Sequence, residues 1–132
     1  MTKRHWQASY GGIPKEIDPE IHRSVVSMLE GSMKLFADKP AFRCFGQTVS
    51  YADVDRQSRA FAAYLQNNLG IRKGDRIAVM SPNLIAFPIA FLGIIRAGAA
   101  QVNVNPLYTA RELEHQLNDA GVNIIEIGRA HV

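Results

Sequence analysis

Apolar residues recur with two periods along the chain, and the alternation of those periods predicts the elements. Ile21, Val25, Met28, Leu29, Ser32 and Phe36 follow helical spacing, predicting a first amphipathic helix that ends near Asp38, Lys39 and Pro40. Ala41 to Phe45 and Thr48 to Ser50 predict a hairpin turning at Gly46. Ser50, with Asp53 three residues on, suits a helix start, and Tyr51, Val54, Ser58, Phe61, Ala62, Leu65 and Leu69 line one face of the helix that follows. Gly70 stops it, and Lys73-Gly74-Asp75 turns the chain.

Ile77 to Met80 then predicts a strand, Ser81-Pro82-Asn83 a turn, and Leu84 to Ala97 an apolar helix ended by Gly98. Ala99 to Val104 is an extended apolar run suited to burial on both faces, broken by Asn105-Pro106. Thr109 and Glu112 have capping-box spacing at the start of a helix that runs to Ala120, where Gly121 ends it, and Val122 to Ile125 begins a third such strand. Strands alternating with helices imply right-handed crossovers and a mainly parallel sheet, so the fold class is α/β, with flanking helices and a short hairpin near the start.

Composition narrows the function classes. At 47% hydrophobic, the 132 residues are those of a folded chain rather than a disordered one. Fifteen Lys and Arg against twelve Asp and Glu, with no dense basic stripe, argue against nucleic acid as a partner. The lone Cys44, between Phe42 and Phe45, is expected to be a buried hydrophobe. The first twenty residues lack the apolar run of a secretory signal, and Leu84 to Ile95, interrupted by Pro88 and Gly93, is shorter than the roughly 20 residues a membrane span needs. A cytoplasmic protein is expected. Trp6 and Tyr10 beside Lys3 and Arg4 admit a peripheral seat on the inner face of the membrane, but the favoured reading is an arm that packs on its own protein.

Candidate chemistry is sparse. Gly93 and Gly98 have a phosphate-loop interval, but Ala99 and Ala100 stand where Lys and Ser or Thr should be, and the segment runs from helix to strand; packing and capping account for both glycines. Ser81 to Asn83 lies where open α/β sheets meet ligands, without a glycine pair or a basic residue. Glu112 and His115 form an E-x-x-H pair lacking the second copy a di-metal site needs, so no metal is expected. His5 and His22 have no catalytic partner nearby in sequence.

The run Asn103 to Gly121, with Asn-Pro-Leu-Tyr-Thr at 105–109, resembles bacterial long-chain fatty-acid–CoA ligases of the adenylate-forming superfamily. The likeness extends backward through Ser58 to Leu65, Lys73 to Arg76 and Pro82 to Leu84, to Trp6, Tyr10, Pro14, Glu16 and Ile17. It implies an intact enzyme that joins a fatty acid to ATP as an acyl adenylate, releases pyrophosphate and passes the acyl group to coenzyme A, with magnesium on the nucleotide. The family's phosphate loop, adenine and ribose contacts and catalytic lysine would lie downstream. No catalytic, cofactor-binding or metal residue is therefore assigned here, and this piece alone is expected to be inactive. The resemblance also makes a homodimer an open expectation. Another acyl- or aryl-CoA synthetase is the alternative enzyme; a non-catalytic α/β binding or dimerisation module is the alternative outside enzymology.

The expected organisation is an arm over 1–20, a partial amino-terminal subdomain over 21–125 and a foreign tail over 126–132. The likeness stops at Ile125, and one permitted back-translation of Glu126 to Val132, GAGATCGGAAGAGCACACGTC, is similar to a common short-read sequencing adapter. Arg129 and His131 thus receive no functional reading.

Overall fold

The computed structural model describes residues 4–128. A short 3-10 turn at His5–Ser9 precedes α1 (Val25–Leu35), the antiparallel pair β1 (Pro40–Cys44) and β2 (Gln47–Ser50), and α2 (Tyr51–Asn67). There follow β3 (Arg76–Met80), α3 (Ala86–Arg96), β4 (Ala100–Val104), α4 (Ala110–Ala120) and β5 (Ile124–Ile127). The last three strands form a parallel sheet in the order β4-β3-β5, and β3 in its centre carries Ile77, Ala78 and Val79, all at 0% exposure. The α/β class and the parallel sheet expected from the alternation are present.

Two apolar clusters hold the elements together. Ile77 and Val79 of β3 meet Ala62 and Leu65 of α2 and Ile94 of α3, with Phe61 and Ile124 at the margin. Met33 of α1, Val54 of α2 and Leu92 of α3 form the second, joined by Val49 of the hairpin. Burial of such side chains, at about 25 cal/mol per Å² of apolar surface, drives the docking of α2 and α3 on one sheet face.

Helix starts follow the local chemistry. The Ser50 side chain accepts from the Asp53 N–H while the Ser50 N–H donates to Asp53, and Thr109 with Glu112 makes the same reciprocal pair. The Ser50 hydroxyl, then the Arg56 guanidinium, hold the Asp53 carboxyl below its ordinary range. A third box, Ser24 with Ser27, starts α1 at Val25, four residues later than the apolar spacing predicts. Ile21 therefore lies outside the helix and is 73% exposed.

Three further expectations are corrected. The strand predicted over Val122 to Ile125 occupies Ile124–Ile127, because the Val122 N–H closes the end of α4 on the Leu117 carbonyl before the chain can extend. It thus runs into the segment read as a tail, whose residues 129–132 lie outside the described residues. β4 is an edge strand with Asn103 exposed, so it is not covered on both faces. Cys44 is only half-buried and belongs to neither cluster, because β1 ends in the hairpin at the molecular surface.

The hairpin turn is Phe45-Gly46, with φ of +45° and +77°. A two-residue turn with both φ positive suits Asn-Gly and penalises a side chain such as Phe45, which is 85% exposed and contributes little packing in return. Phe45→Asn is expected to stabilise the fold by about 0.5–1 kcal/mol, read as a higher urea midpoint at unchanged m-value.

Candidate functional site

Ser81 to Asn83 lie at the carboxyl end of β3, where open α/β sheets meet ligands. Ser81 is buried at 7% exposure, and its hydroxyl donates to the Pro82 carbonyl at 3.1 Å. The Leu84 N–H donates to the same carbonyl, and the Cys44 Sγ lies 3.5 Å from the Asn83 carbonyl oxygen. Asn83 does not cap α3, whose first residue is Ala86 and whose preceding Ile85 makes no side-chain cap. Asn83, Leu84, Phe87 and Pro88 instead line an apolar crevice of about 250 Å³ against Phe42, Arg43 and Cys44 of the hairpin.

The glycines, histidines and Glu112 singled out by the sequence lie apart from this turn. Glu112 is engaged by the Thr109 amide, which depresses its carboxyl, and by the Thr109 hydroxyl. Among the described residues no three His, Cys, Asp or Glu side chains converge as metal ligands. Gly93 sits at the crossing of α2 and α3, where a Cβ would lie 2.7 Å from Phe61 Cδ1. Gly98 follows the last turn of α3 with φ +84°. His5 begins the 3-10 turn of an arm that folds on itself, with Arg4 paired to Glu16 at 2.9 Å and the Gln7 amide donating to the Lys15 carbonyl. Trp6 stays 61% exposed and Ile17 89%, so within this chain the arm does not pack its apolar residues on the body.

One polar constellation escaped the reading of the sequence. Arg96, in the last turn of α3, has a side chain only 8% exposed. Its guanidinium donates to Glu30 of α1 at 2.7 Å and to Asp55 of α2, and contacts the Met33 sulfur. Arg59 pairs with the same two carboxylates at 2.9 and 3.0 Å. Desolvation is the largest influence on Asp55 and pushes its pKa up, but the hydrogen bonds and charges of Arg59 and Arg96 together outweigh it, and the net shift is downward. The only signal was a single cation ending an otherwise apolar helix, which also fits an exposed terminal arginine favoured by the helix dipole. With each carboxylate paired to both guanidiniums, the cluster ties three helices and presents no free acid or base.

Magnesium nucleotide does not fit the described residues at the carboxyl edge of the sheet. Among them, Ser81 to Ile85, Asn105 to Thr109 and Gly128 include no basic side chain to meet a phosphate, and the Ser81 hydroxyl is already spent.

Comparison with known proteins places this geometry. A family described as AMP-binding enzyme matches residues 29–130. The chain is 52% identical over 126 residues to a long-chain-fatty-acid–CoA ligase of Escherichia coli O6:H1, covering 95% of this chain and 22% of that protein. The backbone superposes on the N-terminal subdomain of NpsA from Klebsiella oxytoca with a TM-score of 0.76 at 26% identity, over 83% of this chain and 28% of that one. A benzoate CoA ligase from Burkholderia xenovorans LB400 superposes with a TM-score of 0.72 at 26% identity, over 76% of this chain and 20% of that one. The chain spans about a fifth of the length of the ligases it matches. With more than half of its residues inside the family match, and a sheet and helices that superpose on an amino-terminal subdomain of such enzymes, the chain belongs to the AMP-binding enzyme family.

Proposed function

We propose that the parent of this chain is an ATP-dependent long-chain fatty-acid–CoA ligase, and that these residues supply part of its amino-terminal scaffold. The observation that carries the reading is the 52% identity to a ligase of that specificity, against 31% to a 4-coumarate-CoA ligase of Narcissus pseudonarcissus. The reaction would take a fatty acid, ATP with magnesium and coenzyme A. Holding a carboxylate in line with an α-phosphate needs converging cations and donors, and those groups would come from outside these residues. The role of this segment is then mechanical: β3, α2 and α3 form a rigid wall, and the Arg96 cluster fixes the helices behind it. A cytoplasmic location follows from this reading, and no helix among the described residues is long and apolar enough to cross a membrane.

The test is the intact parent, assayed for acyl-CoA formation across acids of different length. Long-chain fatty acids are expected to be the best substrates, and a parent that activates only aryl or short acids overturns the specificity. The 132-residue chain by itself is expected to give no acid-dependent exchange of pyrophosphate into ATP; exchange above background would place catalytic groups within it.

A further inference from the structure

β5 carries a mismatch between register and chemistry. Ile124 pairs with Ile77 and Glu126 with Val79, so both point to the sheet face that α2 and α3 cover. Ile124 joins the main cluster there. Glu126, one step further, faces a mostly apolar groove walled by Gln57, Ala60 and Phe61 of α2 and by Ala86, Ile89 and Ala90 of α3. The other charged side chain lining that groove is Arg56, whose guanidinium is paired with Asp53 at 3.0 Å. α3 contributes no charged residue to the wall, and Val79 on β3 is fully buried. Among the described residues no side chain pairs with the Glu126 carboxylate, the neighbouring Arg56 guanidinium being held by Asp53.

From this we infer that position 126 is an apolar position of the fold, and that Glu126 is a misfit which weakens the docking of β5 on the α2–α3 face. Partial burial in that groove raises the pKa of its carboxyl above the ordinary glutamate value by desolvation. A folded-state pKa raised above the unfolded one favours folding while the acid is neutral. That advantage is complete below the unfolded pKa and is lost as pH rises through the folded one. The inference rests on the register and surroundings of position 126, and it is independent of which acid the parent activates.

Two measurements decide it. Thermal unfolding of the 132-residue chain, its Glu126→Val variant and its Glu126→Gln variant is followed near pH 5 and near pH 8. Valine is expected to raise the Tm by about 3–6 °C near pH 8 and by less near pH 5. Glutamine is expected to give a smaller rise and the same loss of pH dependence, because it removes the charge and keeps the polar group. A valine variant that melts no higher, or folds worse, overturns the inference. So does the second measurement, the natural gene read through codon 126, if it encodes glutamate there rather than an apolar residue.

Discussion

Gly93→Val is expected to cost the fold about 3 kcal/mol or more, enough to remove a large share of the 5–15 kcal/mol that separates a typical domain from its unfolded state. Gly93 is buried in the middle of α3, where that helix crosses α2. A Cβ built there would lie 2.7 Å from Phe61 Cδ1, 3.1 Å from Phe61 Cβ and 3.1 Å from the Ser58 carbonyl oxygen. Turning the Phe61 ring would move Cδ1 but not Phe61 Cβ, and the Ser58 carbonyl is backbone of α2 at a fully buried position. Relief therefore requires the helices to separate. Because Ile94 and Leu92 flank the crossing and seat the two apolar clusters, separation loosens both.

Smaller replacements isolate the cause. Gly93→Ala adds one carbon, recovers up to about 1 kcal/mol of helix propensity, and is still expected to lose about 1–2 kcal/mol net. Gly31→Ala in α1, where a Cβ meets nothing within 4 Å, is expected to gain several tenths of a kcal/mol from the same propensity. Opposite signs at two helical glycines, read from urea midpoints, would attribute the Gly93 cost to the crossing. A neutral or stabilising Gly93→Ala would show that the helices accommodate the methyl without parting.

The elements visible in the sequence were those whose signal is local. Ser50 with Asp53 and Thr109 with Glu112 carry their caps within three residues, and those helices begin where the spacing places them. The central strand declared itself because Ile77 to Val79 has no polar residue to offer a surface. Boundaries failed where a hydrogen bond that the apolar spacing does not encode competes with it. The Ser24–Ser27 box postpones α1 past Ile21, and the backbone closure of α4 postpones β5 to Ile124. The carboxyl edge of β3 was placed correctly as a turn, but its apolar crevice depends on the hairpin lying alongside, nearly forty residues away in sequence. The Arg96 cluster was illegible for the same reason: Glu30, Asp55 and Arg96 belong to three helices, and no spacing rule connects them.

That cluster sets the second large effect. Arg96→Met keeps the stem's apolar volume against Met33 and deletes the guanidinium that Glu30 and Asp55 share. Removing one partner of a fully buried ion pair costs about 3–5 kcal/mol; with Glu30 and Asp55 each about a third exposed and Arg59 still in place, about 2–3 kcal/mol is expected. The pH dependence separates lost charge from lost packing. Asp55 has a depressed folded pKa, so its contribution is present above the unfolded value and disappears as pH falls through the folded one. Without Arg96, desolvation acts on Asp55 against Arg59 alone, and its pKa should rise. The stability gap between wild type and Arg96→Met should accordingly be widest near neutrality and narrow in acid, as pH falls through the depressed pKa of Asp55. Arg96→Lys, one point charge for a two-pronged donor, should recover part of the gap and reach only one carboxylate well. A gap that stays constant between neutral and acid conditions would mean that Arg96 acts through its hydrocarbon stem, and that the three helices are held by the apolar clusters alone.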